Sequence, residues 1–220
     1  MKVSMIIPAK GTSERLKNKN LYKINGKTLV RMACEKALEC KNVHKVYLDT
    51  ESESIILDVQ DLFSQGLHLL KRPIELANND IGANDMMIYG LHSIDETDLL
   101  VQTFATSPLI TSKTIDNCIE SFINSPKHDS FFSVIKMQEY FWDKNNQPMN
   151  FDIKKLPNSF ELDEMFMETH GIYGIYTNSL IKQKTRVGKT PLMIEISKLE
   201  SLDINDEEDL ELIKAIYDRN

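Results

Sequence analysis

The chain has 220 residues, 41% of them apolar and 27% charged, with a net charge of −7, which is enough interior for one domain of ordinary size. An acidic balance excludes general attraction to nucleic-acid backbones and to anionic membranes, so any polyanion has to be held by a local basic site. No apolar run approaches the roughly 20 residues of a membrane span and the N-terminus has no long hydrophobic leader region; three cysteines (Cys34, Cys40, Cys118) at no metal-ligand spacing suit a reducing, cytoplasmic setting and read as small buried hydrophobes.

Residues 2–8 (KVSMIIP) form a short apolar run that ends in a Pro- and Gly-containing loop, which predicts a buried first strand. A long loop follows from residue 9 to residue 26. Residues 28–40 carry Leu29, Met32, Ala33, Ala37 and Leu38 at helical spacing, and 43–48 read as a second strand. The alternation continues with a helix at 55–63, a strand at 67–70, a helix at 84–94, a strand at 99–104, a helix at 115–123 and a strand at 130–137. Such an order predicts a three-layer α/β domain, a mostly parallel, doubly wound sheet with helices on both faces. It breaks at 138–169, which hold the only tryptophan, Trp142, with Asn145, Asn146, Pro148 and Pro157 and little periodicity. Within a single domain spanning 1–220, an insert of that length is expected to be a lid over a site or a dimerisation arm, with a mobile surface excursion as the alternative. Strands return at 170–176 and 192–196, and Asn205 is the expected N-cap of a last helix at 206–217.

The chemistry concentrates in residues 9–20, AKGTSERLKNKN. After the first strand of a parallel sheet, this loop falls at the carboxyl edge, where ligands of α/β folds bind. Gly11 permits close backbone approach, Thr12 and Ser13 add hydroxyls, and Lys10, Arg15, Lys17 and Lys19 supply cations. That composition suits a triphosphate cradle, and a basic surface loop would look similar. It is neither a GxxxxGK[ST] loop nor a GxGxxG dinucleotide turn.

The stretch IIPAKGTSERLKNKN resembles the N-terminal signature of the acylneuraminate cytidylyltransferases, the CMP-sialic acid synthetases and their relatives acting on pseudaminic, legionaminic and Kdo-type sugars. Four further segments resemble family motifs in the same order: NGKTL at 25–29, RPIELA at 72–77, ATSPL at 105–109 and SLDIN at 201–205. The resemblance spans nearly the whole chain. It implies a nucleotide-diphospho-sugar transferase-like fold, transfer of CMP from CTP to an acidic sugar in surface-glycan precursor synthesis, Mg²⁺ as cofactor and a cytoplasmic homodimer. It further implies that Ala9, Lys10, Gly11, Thr12, Ser13, Arg15, Lys19, Asn20, Phe104 and Thr106 meet the nucleotide. Lys10, Lys19 and Asp203 would carry the chemistry, Lys19 against the departing pyrophosphate and Asp203 on the metal. The neighbouring Asp206, Glu207, Glu208 and Asp209 read instead as an acidic helix start favoured by the helix dipole.

Departures from the family pattern matter equally. Asn205 stands where the second metal aspartate is usual, which removes a charge from the metal site. Phe104 stands where many sialic acid members carry a Gln that reads cytosine; it can stack on a base but cannot hydrogen-bond its edge. Glu168 falls where an arginine would hold the sugar carboxylate, and a carboxylate there would repel one. Either Lys154 and Lys155 bind the acid from the insert, or the acceptor is not a conventional sialic acid. His170 either hydrogen-bonds a sugar hydroxyl or helps to accept the attacking hydroxyl's proton, against the alternative of a satisfied structural histidine. Two further alternatives are an enzyme of the same fold with a phosphonate or other acceptor, and a catalytically impaired nucleotide-binding relative.

Overall fold

The N-terminal apolar run forms β1 (Val3–Pro8), buried along all but its last residue. A computed structural model describes residues 1–13, 15–78 and 81–219; Glu14, within the basic loop, lies outside them. The loop after β1 ends in a 3₁₀ turn (Lys19–Leu21) and a minimal hairpin, β2 (Lys23–Ile24) with β3 (Lys27–Thr28). Asn25 at φ 49° and Gly26 at φ 81° are both left-handed, the pairing that a type I′ turn needs and that Asn-Gly supplies at low cost. Thr28 then caps α1 (Leu29–Glu39), its side chain accepting from the Arg31 N–H at 3.2 Å.

The remaining elements are β4 (Lys45–Thr50), α2 (Glu53–Asp58), β5 (Leu67–Lys71), α3 (Ala83–Ser93), β6 (Leu99–Thr103), α4 (Ser112–Ile123), β7 (Ser130–Met137), β8 (Met165–Tyr176), α5 (Thr177–Gln183), β9 (Pro191–Glu195) and α6 (Glu207–Tyr217). Seven strands make one sheet in the order β5-β4-β1-β6-β8-β7-β9, and β8 runs antiparallel to both of its neighbours while the other pairs are parallel. The order reverses between β1 and β6, the switch point at which open α/β sheets form a crevice. One face is covered by α1, α4 and α6 over a large core that includes Leu29, Leu48, Ile119, Phe122, Phe131 and Ile213. The other face carries a smaller core, Ile6, Tyr47, Leu70, Met87, Leu100, Ile175 and Leu180, beneath α3 and α5. The three-layer, mostly parallel α/β fold expected from the sequence is the fold observed.

Several boundaries differ. The helix expected at 55–63 is α2 followed by a 3₁₀ turn (Gln60–Gln65). β8 begins at Met165, so the irregular insert runs only over 138–164, and α5 was not expected at all. The last helix is capped by Asp206, whose side chain accepts from the Asp209 N–H at 3.0 Å, rather than by Asn205. Asn205 instead donates its backbone N–H to Asp209 Oδ2 at 2.8 Å.

Candidate active site

Pro8 at the end of β1, Arg72 just past β5, and Gln102 and Phe104 at the end of β6 line one cavity of about 600 Å³ at the carboxyl edge of the parallel strands. Lys10, Thr12, Ser13, Arg15, Lys19 and Asn20 form one wall, and Thr106, Asp203 and Asn205 also line it. The loop is held by its own backbone: Leu16 is buried, the Lys19 N–H donates to the Leu16 carbonyl at 3.1 Å, and Asn20 Nδ2 donates to the Lys10 carbonyl at 2.9 Å. Ala9 and Gly11, two of the residues expected to meet the nucleotide, set its path from behind, and neither lines the cavity. The buried Ala9 donates its N–H to the Asp49 carbonyl at 2.9 Å, and Gly11 donates to Glu51 Oε1 at 2.6 Å. A Cβ on Gly11 would stand 2.8 Å from Ser52 Cβ, so only glycine lets the loop lie this close to the residues after β4.

Lys19 joins the cationic loop to the acidic segment at 203–209. Its ammonium donates to the Ile204 carbonyl at 2.7 Å. Burial holds its pKa below the ordinary lysine value; Asp203 and Asp209 oppose that shift while Arg15 and Lys10 add to it. Asp203 accepts from Asn205 Nδ2 at 3.0 Å and from Ser107 Oγ at 3.5 Å, and the Ile204 N–H donates to the Thr106 carbonyl at 2.8 Å. The TSP turn and the SLDIN segment are thus tied together. Among the described residues no group of three or more His, Cys, Asp or Glu side chains is arranged to hold a metal ion. One carboxylate beside one amide fits a hard cation completed by phosphate oxygens and water, not a closed protein cage.

The residues expected to meet an acceptor separate into three groups. Lys154 and Lys155 are exposed in the insert and do not line the cavity. Glu168 does not line it either: its Oε1 accepts a hydrogen bond from the Tyr173 hydroxyl and stands 3.6 Å from Arg186 Nη2. His170 does line it, with φ at 54° where the β7–β8 register shifts, an irregularity that re-aims its side chain. Its Nδ1 is 2.9 Å from the Tyr173 hydroxyl. Burial, then the bond to Glu168, raises the Tyr173 pKa.

Four polar residues that line the cavity, Arg72, Asn78, Gln102 and Arg186, were not singled out in the sequence. Arg72, within RPIELA, makes a bidentate, buried pair with Asp49, Nη2 to Oδ2 at 2.7 Å and Nε to Oδ1 at 3.0 Å. Gln102 is a polar residue in the apolar run LLVQT, a signal that was available. Arg186 sits in the turn between α5 and β9, where nothing local distinguishes it from the lysines around it.

An open, largely parallel sheet with a cleft at its carboxyl edge, cationic on one side and acidic at 203, defines a nucleotide-type α/β protein. Over residues 4–220 the chain matches the family model described as cytidylyltransferase, and it belongs to that family. It is 26% identical over 231 residues to the N-acylneuraminate cytidylyltransferase of Escherichia coli O18:K1:H7 (strain RS218 / NMEC), a match covering 99% of this chain and 52% of that protein, so the chain spans about half the length of this relative. It is 24% identical to the 8-amino-3,8-dideoxy-manno-octulosonate cytidylyltransferase of Shewanella frigidimarina (strain NCIMB 400), covering 92% of the chain and 85% of the relative. A solved structure of CMP:2-keto-3-deoxy-manno-octonic acid synthetase complexed with CTP superposes with a TM-score of 0.73 at 15% identity, covering 100% of this chain and 99% of that one, which is a likeness of fold. No helix among the described residues is long and apolar enough to cross a membrane.

Proposed function

We infer that this chain transfers the CMP group of CTP to a hydroxyl of a nonulosonic-type acidic sugar, releasing pyrophosphate. The observation that supports this most directly is the cavity that Lys10, Arg15 and Lys19 line together with Asp203, in a chain that matches the cytidylyltransferase family from residue 4 to residue 220. In this reading the loop binds the triphosphate through Lys10, Ser13, Arg15 and Asn20, and Phe104 offers a face on which a base can stack. The acceptor hydroxyl oxygen forms a bond to the α-phosphorus, its proton passes to water, and the bond from the α-phosphorus to the bridging oxygen breaks. Pyrophosphate leaves with that electron pair. Lys19 meets the negative charge that grows on the bridging oxygen, the type of stabilisation worth about 10²-fold or more in rate.

Asp203, with Asn205 as a weaker neutral ligand, would hold Mg²⁺, which when bound neutralises phosphate oxygens. The same reading makes the protein cytoplasmic, in keeping with Cys34, Cys40 and Cys118 being buried and free, and a homodimer joined through the insert.

The test is pyrophosphate release with each nucleoside triphosphate in turn, with and without Mg²⁺, against nonulosonic acids, Kdo and simple phosphonates. Release is expected with CTP, Mg²⁺ and a sugar acid. Release with a phosphonate alone would replace the acceptor class, and silence throughout with CTP still bound would leave a nucleotide-binding relative without turnover.

A further inference from the structure

With Glu168 at the position where an arginine was expected, the cations the sequence offered for the acceptor's negative charge were Lys154 and Lys155, and neither lines the cavity. The fold brings one from elsewhere. Arg186 lines the cavity, and its guanidinium lies over the Tyr173 ring with Cζ 3.8 Å from the centroid. A guanidinium presents an in-plane N–H fork suited to bidentate bonds to a carboxylate, and here one side of it also interacts with the Tyr173 hydroxyl. Glu168 forms an ion pair with Arg186 at 3.6 Å, but at that separation it is beyond hydrogen-bond distance and its oxygen is engaged by the Tyr173 hydroxyl, so it does not saturate the fork.

The turn that carries Arg186 is pinned on both sides. The Arg186 N–H donates to Asn84 Oδ1 at 2.9 Å, at the start of α3. Asp129 accepts from Gln183 Nε2 at 2.8 Å and from the N–H groups of Lys189 and Thr190 at 3.0 Å each. A Cβ on Gly188 would fall 2.2 Å from Asp129 Oδ1, so this approach requires glycine.

A second, independent observation comes from Gln102. It pairs directly with Tyr173 across the β6–β8 ladder, so the two side chains share a face of the sheet. Gln102 lines the same cavity, is 3% exposed, and its Oε1 is buried with no hydrogen-bond partner among the described residues. A buried amide oxygen left unpaired is costly and points to a donor that arrives with a ligand.

Resting on the transferase reading, we propose that Arg186 is the anion anchor of the acceptor subsite and that Gln102 beside it accepts a hydrogen bond from an acceptor hydroxyl or amide N–H. The substrate class this fits is a sugar acid whose carboxylate lies close to a hydrogen-bond donor.

The test compares wild type, Arg186→Met, Arg186→Lys and Gln102→Leu in steady-state transfer, using a sugar acid and its neutral carboxamide. Arg186→Met is expected to raise the acceptor KM about 10²-fold, as loss of one partner of a desolvated charge pair does. KM for CTP should stay unchanged, and the variant should no longer distinguish acid from carboxamide, while Arg186→Lys should recover part of that discrimination. Gln102→Leu should raise the acceptor KM about tenfold, the scale of one buried hydrogen bond. An unchanged acid-to-carboxamide ratio in Arg186→Met overturns the anchor, and a change in KM for CTP alone in Gln102→Leu moves that residue to the nucleotide. If wild type transfers CMP to no acid, the transferase reading fails separately. Calorimetric titration of the sugar acids into wild type and Arg186→Met, each with CTP present, then decides the anchor, and equal affinities or no binding to wild type would overturn it.

Discussion

The Lys19 ammonium sits where two fields meet, with Lys10 and Arg15 on one side and Asp203 and Asp209 on the other. Burial lowers its pKa from the ordinary 10.5, so as pH rises this lysine loses its proton before an exposed lysine does. If the cation stabilises the leaving pyrophosphate, kcat/KM for CTP should fall on the alkaline side at a pH below the ordinary lysine value. Lys19→Arg keeps its charge throughout and should remove that limb, and Lys19→Ala should lose at least ~10² in rate at neutral pH. Initial rates across the alkaline range check this, and an identical limb in Lys19→Arg would take the titration away from Lys19. The loop residues around Lys19 were legible because cations, hydroxyls and a glycine cluster within a few positions. Arg186 was not, because its meaning comes from Tyr173, thirteen positions away in the chain and beneath its guanidinium only in the fold.

Elements show the same division. β1, β4 and β6 could be read from short apolar runs, since strands covered on both faces carry little else, and β5, an edge strand with His68, Leu69 and Lys71 exposed, was legible from its leucines. β8 was half missed because Met165 to Glu168 are largely exposed or only partly covered and resemble the irregular insert before them. α5 escaped because it has seven residues with only Leu180 buried, too short for a helical period to show. Yet these two elements, with the turn after α5, bring His170 and Arg186 to the cavity. Asp129 is the residue on which that turn depends. Burial would raise its pKa, but the bonds from Gln183, Thr190 and Lys189 outweigh it and the net shift is downward from 3.8. A carboxylate depressed in the folded state stabilises it above its unfolded pKa, and that contribution disappears as pH falls through the folded value. Asp129→Asn should therefore cost about 1 kcal/mol at neutral pH, a figure discounted for partial solvation, and less near pH ~3. Urea denaturation at the two pH values checks it; a loss that is the same at both would mean that charge plays no part.

At the scale of the whole molecule, the insert at 138–164 stands apart from the core that the rest of the chain shares. Its aromatic residues pack on one another, Trp142 and Tyr140 each edge-on to Phe151 with centroids 5.2 and 5.0 Å apart. Around them Ile153, Leu156 and Phe160 are 59%, 65% and 74% exposed. An ordered unit that presents several large apolar side chains to water is the usual mark of an interface or of a lid that closes on a ligand. A homodimer predicts a solution mass of twice the chain's 25.3 kDa by light scattering at tens of micromolar. Leu156→Ser combined with Phe160→Ser should halve that mass while the chain stays folded by circular dichroism, because neither side chain belongs to the buried core. A wild-type monomer at the same concentration would remove the dimer and leave the lid, and hydrogen exchange across 138–164 should then slow when CTP and a sugar acid are added together. A dimer whose exchange is insensitive to both substrates would instead give the insert an assembly role alone, and the cavity would be completed without it.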